Sequence, residues 1–419
     1  MIYCYADDLT RLAKYSAFTY GHILHGSQDV IPNPEDVHVF YHDAKDHSKA
    51  HNIGFGVYIG RILGHCVGVK HNEDWRRLCY HIDGHFLASV TLKSFPIIIS
   101  DVAEWLDAIS ATISEPKVLE EHTKFKVDAR EVVSSVLLLK VIARTLFSEL
   151  LNEKLMSRCF FGKVEQWALT SCLPMEANHE ITKFLDEWSR LMHHCALEAE
   201  SKGIRMTVSE LYGRMQEGHM TFLEFSQSVD EILFNNIAIV SDIVSNAISW
   251  TIILVAKYAD AQARLMREIR AAFANSFAGS RSEKLEAYLR RTDTFLHYCC
   301  LEAGHLQPTS FFTLPEVTAT SKVLGGYTVS AVWGNDGDIF HPERFQDLQP
   351  MHYRYSFLHF DFGSRKCVGQ HFSDKIVKAI VLQVIEWYSI TIQDEVVTAS
   401  GHFLNTPART LLLQCRVDE

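Results

Sequence analysis

The chain has 419 residues, 47% hydrophobic and 22% charged, with a formal net charge of −11. That composition supplies a large apolar core and excludes a disordered class; the negative balance argues against a nucleic-acid partner. Ten cysteines are scattered without a Cys-x-x-Cys pair, which speaks against a zinc site or a redox dithiol and for reduced thiols in a cytosol-facing protein.

No Pro/Gly/Ser linker, repeat or low-complexity tract divides the chain, so one domain over residues 1–419 is expected. Residues 7–20 have a helical period, with Leu9, Leu12, Ala13 and Ala17 on one side, and 21–25 read as a short strand. Asn33-Pro34-Glu35-Asp36 is a helix start: an N-cap residue, a first-turn proline, then acids. A glycine-rich stretch covers 54–68, and a helix is expected over 72–86, carrying Trp75, Arg76, Arg77, Cys79 and His81. Residues 100–220 read as mostly helical, with Trp105, Leu106, Val136, Leu137, Leu138, Trp167, Phe184, Trp188 and Leu191 as core. His193 and His194 are adjacent, so they diverge around a helix and do not share a metal; His122 and His179 read the same way.

A long helix is expected over about 222–258. Its most apolar window, 233–256, contains Asn235, Asn236, Asp242 and Asn246, so it reads as a core helix rather than a membrane span. Further helices are expected over 260–273 and 292–306, the latter ending in Glu302-Ala303-Gly304-His305. Residues 308–328 have strand character, 370–388 form a long apolar-periodic segment, and 391–393 and 410–414 are candidate strands. The fold class is therefore mainly α with small β-sheets.

Between these elements lies Phe360-Asp361-Phe362-Gly363-Ser364-Arg365-Lys366-Cys367-Val368-Gly369. Gly363 and Gly369 permit backbone angles that other residues resist. Cys367 stands just before a helix, where backbone N–H groups favour an anionic sulfur. Such a thiolate is a good axial ligand for haem iron.

The pattern Phe360-x-x-Gly363-x-Arg365-x-Cys367-x-Gly369 resembles, at all five fixed positions, the haem-binding signature of the cytochrome P450 superfamily. The texture of Val323–Tyr327 and Tyr353-Arg354-Tyr355 is similar to fungal secondary-metabolism members. The resemblance implies haem b between a long distal helix and the proximal helix that follows Cys367. Cys367 would ligate the iron, Phe360 would shield the sulfur, and Arg365 would pair with a propionate. Trp75 would reach the propionates too; the family's arginine position nearby holds Cys79, with Arg76, Arg77 or His81 as substitutes. Asp242 falls at the family's distal acid, followed by Ile243 where threonine is usual. Ser245, one turn from Asp242, is the nearest hydroxyl for proton delivery, with Ser241 as the alternative; Ser245 can equally bond back to the carbonyl of residue 241. Glu302 matches the family's buried acid and Pro342-Glu343-Arg344-Phe345 is intact, but His305 replaces an arginine, which implies a weaker network. The connection from Gly326 to Trp333 is short, and a deletion is expected near 329–333.

The implied reaction inserts one oxygen atom from O2 into an apolar small-molecule substrate. The implied partner is an NADPH-dependent flavoprotein reductase, docked on Arg365, Lys366, Lys375 and Lys378. With no N-terminal anchor, the expected location is cytoplasmic, or the cytosolic face of the endoplasmic reticulum if the native chain carries one. Two alternatives stay open. One is a P450-type isomerase, dehydratase or oxidative coupling enzyme. The other is a degenerate haem-binding protein without turnover, in view of Ile243, His305 and the short connection.

Overall fold

The computed structural model describes residues 72–86, 95–113, 207–233, 240–274, 280–309, 336–363 and 366–392, with shorter segments between, among them 2–4, 29–31, 34–42, 48–49, 125–128, 192–204, 316–317, 398–399, 407–408 and 410–415. Among these residues the helices are α1 (Pro34–Tyr41), α2 (Asn72–Ile82), α3 (Phe95–Ile113), α4 (Thr207–Gln216), α5 (Phe222–Leu233), α6 (Val240–Lys257), α7 (Ala259–Ala274), α8 (Arg281–Arg290), α9 (Phe295–Leu306), the short α10 (Arg344–Asp347) and α11 (Pro350–Tyr353), and α12 (Gln370–Trp387). The strands are β1 (Ile2–Cys4), β2 (Asp29–Ile31), β3 (Ser48–Lys49), β4 (Phe125–Asp128), β5 (Glu316–Val317), β6 (Tyr388–Ile392), β7 (Thr398–Ala399), β8 (Pro407–Ala408) and β9 (Thr410–Cys415).

Helix α12 is the axis of the molecule. Phe372, Ser373 and every residue from Ile376 to Ile385 are buried, so this helix is apolar almost all round and belongs in an interior. It packs against α3, α6, α7, α8 and α9. Each large aliphatic side chain it buries is worth about 1.5–3 kcal/mol of transfer free energy. At Tyr388 the backbone turns extended (φ −126°, ψ 142°) and α12 passes straight into β6.

β6 pairs antiparallel with β9, which pairs antiparallel with β4; Tyr388 lies opposite Cys415 and Phe125 opposite Leu413. Gln262 on α7 ties this sheet to the helices: its amide nitrogen donates to Ile390 O at 2.9 Å, and its oxygen accepts from Ile390 N–H at 3.0 Å. A second sheet has the order β2–β1–β5–β3, with β1 parallel to β2 and antiparallel to β5, and β7 pairs with β8.

Most helices fall where their periodicity puts them. The stretch 222–258 is described as α5 and α6, with 234–239 outside the described residues. Two elements were not legible as such. β4 lies within a region of helical period, and its partner strand β9 is near the other end of the chain, Phe125 opposite Leu413, so nothing local marks it as a strand. The other, α8, was not expected, although its capping box from Ser280 to Glu283 is a sequence signal for a helix start. β5 falls inside the 308–328 stretch expected to have strand character, whose parts 310–315 and 318–328 lie outside the described residues, as do the expected elements at 7–25, the stretch 54–66, the connection at 329–332, and core candidates Val136, Trp167, Phe184, Trp188 and Leu191. No described helix is long and apolar enough to cross a membrane.

Candidate active site around Cys367

The loop before α12 is closed by its own backbone. Cys367 N–H donates to Phe360 O at 2.8 Å, and Asp361 N–H donates to Leu358 O at 3.0 Å. The turn passes through two left-handed residues, Asp361 (φ 61°) and Gly363 (φ 76°). The second needs glycine, since a Cβ is strained there. Gly369 caps α12, and a Cβ placed on it would stand 3.8 Å from Cys367 Sγ and 3.8 Å from Ser373 Oγ. The loop therefore presents the sulfur at a helix N-terminus with little bulk beside it. Cys367 is exposed, while the helix it precedes is buried. Phe360 is half-buried, and its ring meets His359 edge-on at 4.5 Å. Arg365 lies outside the described residues.

Helix α6 packs against α9 and α12. In its centre Val244, Ser245, Asn246, Ile248, Ser249 and Trp250 are buried, whereas Ile243 and Ala247 are only partly so. These two are four apart and share a face, an apolar stripe. Ser245 is two residues from each, on the opposite side of the helix, with 7% of its surface exposed. Asp242 belongs to α6, but its side chain lies outside what is described.

On α2, Trp75 is partly buried and packs on the main core, on the same face as the buried Cys79 and Ile82. Arg76 is exposed and pairs with Glu73 at 3.4 Å, so it points to solvent rather than along Trp75. Arg77 pairs with Glu224 at 2.7 Å and ties α2 to α5. His81 is buried, with Arg214 Nη1 3.5 Å from its Nδ1. Burial, then the Arg214 charge, lowers its pKa.

Two buried ionic clusters flank the Cys loop. In the first, fully buried Glu302 accepts from Arg344 Nε at 3.0 Å, from His341 N–H at 2.9 Å, and lies 3.2 Å from His305 Nδ1. Arg344 also donates to Trp333 O, Asp336 O and Ile339 O. The expected weaker network thus gains a third donor, His341 N–H, and the His305 ring lies against Trp333 with centroids 4.0 Å apart. In the second cluster Asp374 Oδ2 accepts from Lys375 and from Lys378, both at 3.0 Å. Burial pushes the Asp374 carboxyl up, but Lys378, Lys375 and His297 together outweigh it and hold its pKa below the usual range. Burial lowers the Lys378 ammonium against the pull of Asp374. This corrects the reading of Lys375 and Lys378 as docking cations: Lys378 is 1% exposed, and Lys375 donates to Leu289 O as well. Of that group, Lys366 is exposed.

Sequence reasoning missed His359, Asp374 and Asp361 as parts of this region. His359 fills the space over Gly304, where a Cβ would come within 2.9 Å of its ring, and it stacks on Phe357 at 5.5 Å. The protein around it pushes its pKa down to about 4. The signal available for Asp361 was a non-glycine residue between Phe360 and Gly363 in a tight turn. The described residues fit a haem: an exposed thiol before a helix, a small residue beside it, and an apolar stripe on the helix packed across from it.

The family model described as Cytochrome P450 matches residues 329–413, which span Cys367, α12 and β6 to β8 and end within β9. Cytochrome P450 monooxygenase asaD of Aspergillus flavus is 27% identical over 90% of this chain and 74% of its own length. Cytochrome P450 monooxygenase sirC of Leptosphaeria maculans is 26% identical over 86% of this chain and 72% of its own, and cytochrome P450 monooxygenase PUL2 of Kluyveromyces lactis is 23% identical over 92% and 80%. A crystal structure of a cytochrome P450 superposes with a TM-score of 0.71 at 16% identity, covering 92% of each chain, so the fold is shared. The turn that closes on Cys367, the interior helix behind it and these likenesses point one way: the chain has the cytochrome P450 fold and resembles the superfamily over most of its length, and haem b is the cofactor that this likeness implies.

Proposed function

We propose that this P450 monooxygenase inserts one oxygen atom from O2 into an apolar small molecule of fungal secondary metabolism, using electrons from an NADPH-dependent flavoprotein reductase. The observation that carries the reading is the exposed Cys367 at the end of a loop closed by its own N–H on Phe360 O. Haem held by Cys367 supplies the oxygen-activating chemistry, which a thiolate ligand favours. The chain's own residues orient and exclude. Gly363 and Gly369 shape the turn, Phe360 covers the sulfur's side, and Arg365 and Trp75 are proposed to hold the propionates. The stripe of Ile243 and Ala247 offers substrate an apolar wall.

Proton delivery is assigned to Asp242. The buried position of Ser245, opposite that stripe, supports the bond-back reading of its hydroxyl over the relay. The same apolar stripe, with Ile243 where a hydroxyl is usual, favours a second reading: rearrangement or coupling chemistry that needs no proton relay. The test of the thiolate is the carbon-monoxide difference spectrum of the reduced protein. Wild type is expected to give the thiolate-ligated band and Cys367→Ser to lose it; an unchanged band in the variant sinks the reading. Substrate turnover without O2 or reductant would select the second reading.

A further inference from the structure

The turn that carries Cys367 contains a strained residue that its sequence does not require to be strained. Asp361 has φ 61°, in the left-handed region where non-glycine residues are disfavoured and where Asp and Asn are the best tolerated. Its carboxylate is engaged on both sides. Oδ1 accepts from the Tyr41 hydroxyl at 2.8 Å, across 320 positions of sequence, and from Phe362 N–H at 2.8 Å. Tyr41 is buried at the end of α1. It belongs to a small apolar cluster with Val37, Phe40 and Leu358, separate from the main core, against which Tyr355 and Phe362 pack. The Tyr41 and Phe362 rings meet edge-on at 5.4 Å. The residue before Asp361, Phe360, is the one whose carbonyl accepts the Cys367 N–H.

We propose that Asp361 is a positioning residue for Cys367, fastening the ligand turn to α1 through the Tyr41 hydroxyl. The inference rests on Cys367 being the haem ligand. A glycine would adopt this backbone conformation without strain, so what aspartate adds at 361 is its side-chain bonds. Strained conformations persist where surrounding structure over-determines them; here Tyr41 and Phe362 N–H supply that determination. Fixing Asp361 fixes Phe360 O, and through it the Cys367 amide and the sulfur beside α12. Helix α1, far away in sequence, becomes part of the ligand scaffold.

The test uses the haem-loaded protein and four variants: Tyr41→Phe, Asp361→Gly, Asp361→Asn and the double Tyr41→Phe/Asp361→Gly. Three readouts are taken: hydrogen exchange of the Cys367 amide, the iron reduction potential, and the thiolate-ligated share of the reduced carbon-monoxide complex. Tyr41→Phe is expected to speed amide exchange by about fivefold, the loss of one part-buried hydrogen bond, and Asp361→Gly, which gives up the Phe362 N–H bond as well, by at least as much; both should shift the potential and the spectrum. The double variant should be no worse than the Asp361→Gly single, because both remove the same contact. Asp361→Asn keeps an acceptor and tolerates the left-handed backbone, so it should restore all three. If wild type shows the thiolate band while Tyr41→Phe and Asp361→Gly leave exchange, potential and spectrum unchanged, the inference fails and the haem reading stands. A wild-type protein without that band overturns both.

Discussion

Gly304 and His359 show how a single missing side chain is fixed by its neighbour. A Cβ on Gly304 would stand 2.9 Å from both Cε1 and Nδ1 of the His359 ring. That ring cannot easily yield, since Phe357 is stacked on it and Phe360 meets its edge. Gly304→Ala is therefore expected to cost about 1–3 kcal/mol by overpacking, seen as a lower denaturation midpoint, with the displacement passed to Phe360. An unaltered midpoint would mean that the ring has another place to go. A second residue-scale effect is acid sensitivity. Burial lowers the pKa of both His297 and His359 to about 4 in the folded protein, with Lys378 adding to the effect at His297. The unfolded chain binds these protons near the ordinary value of about 6.5. The folded state thus binds fewer protons below that value, and stability is lost as pH falls from about 6.5 towards about 4. His297 Nδ1 has no hydrogen-bond partner among the described residues, so His297→Leu is expected to flatten the slope of midpoint against pH in that window. An equally steep profile in the variant would rule this out as the source.

At the scale of elements, α9 and α10 are joined through charge. Glu302 lies on α9 with no exposed surface, and Arg344 opens α10 with 6% exposed. Removing one partner of a buried pair leaves the other uncompensated, so Glu302→Ala is expected to destabilise by about 3–5 kcal/mol, measurable by chemical denaturation. A loss under about 1 kcal/mol would show that the three carbonyls on Arg344 suffice. His305 is a different case. Its ring packs on that of Trp333, centroids 4.0 Å apart, while its Nδ1 lies 3.2 Å from Glu302 Oε2, so it serves both the aromatic packing and the buried acid.

For the whole molecule, the placement of basic residues on α12 decides what the proximal side can do. Lys378 is basic, yet it is buried and donates to Asp374 one turn away. Lys378→Met should therefore lower the unfolding midpoint and leave the apparent KM for a flavoprotein reductase unchanged. A raised KM with an unchanged midpoint would return Lys378 to the docking face. The main core gathers residues from Val67 to Leu413 around this helix, so a change in α12 is felt across elements far apart in sequence.

The residues themselves marked out the candidate site. Five fixed positions from Phe360 to Gly369 picked out the Cys367 turn, the apolar run after it picked out the interior helix α12, and Pro342 to Phe345 with Glu302 picked out the partners of a buried pair. These are local signals, carried by backbone freedom, periodicity and residue type within a few turns. The tertiary structure decided the rest, because it depends on what lies across from each residue. Nothing local distinguishes an interior lysine on a buried helix from a surface one, or pairs β4 with a strand near the other end of the chain. The Tyr41 hydroxyl meets Asp361 only once α1 and the Cys turn are packed together, and Ser245 and Ile243 part company only when α6 has one face against the core and another left open.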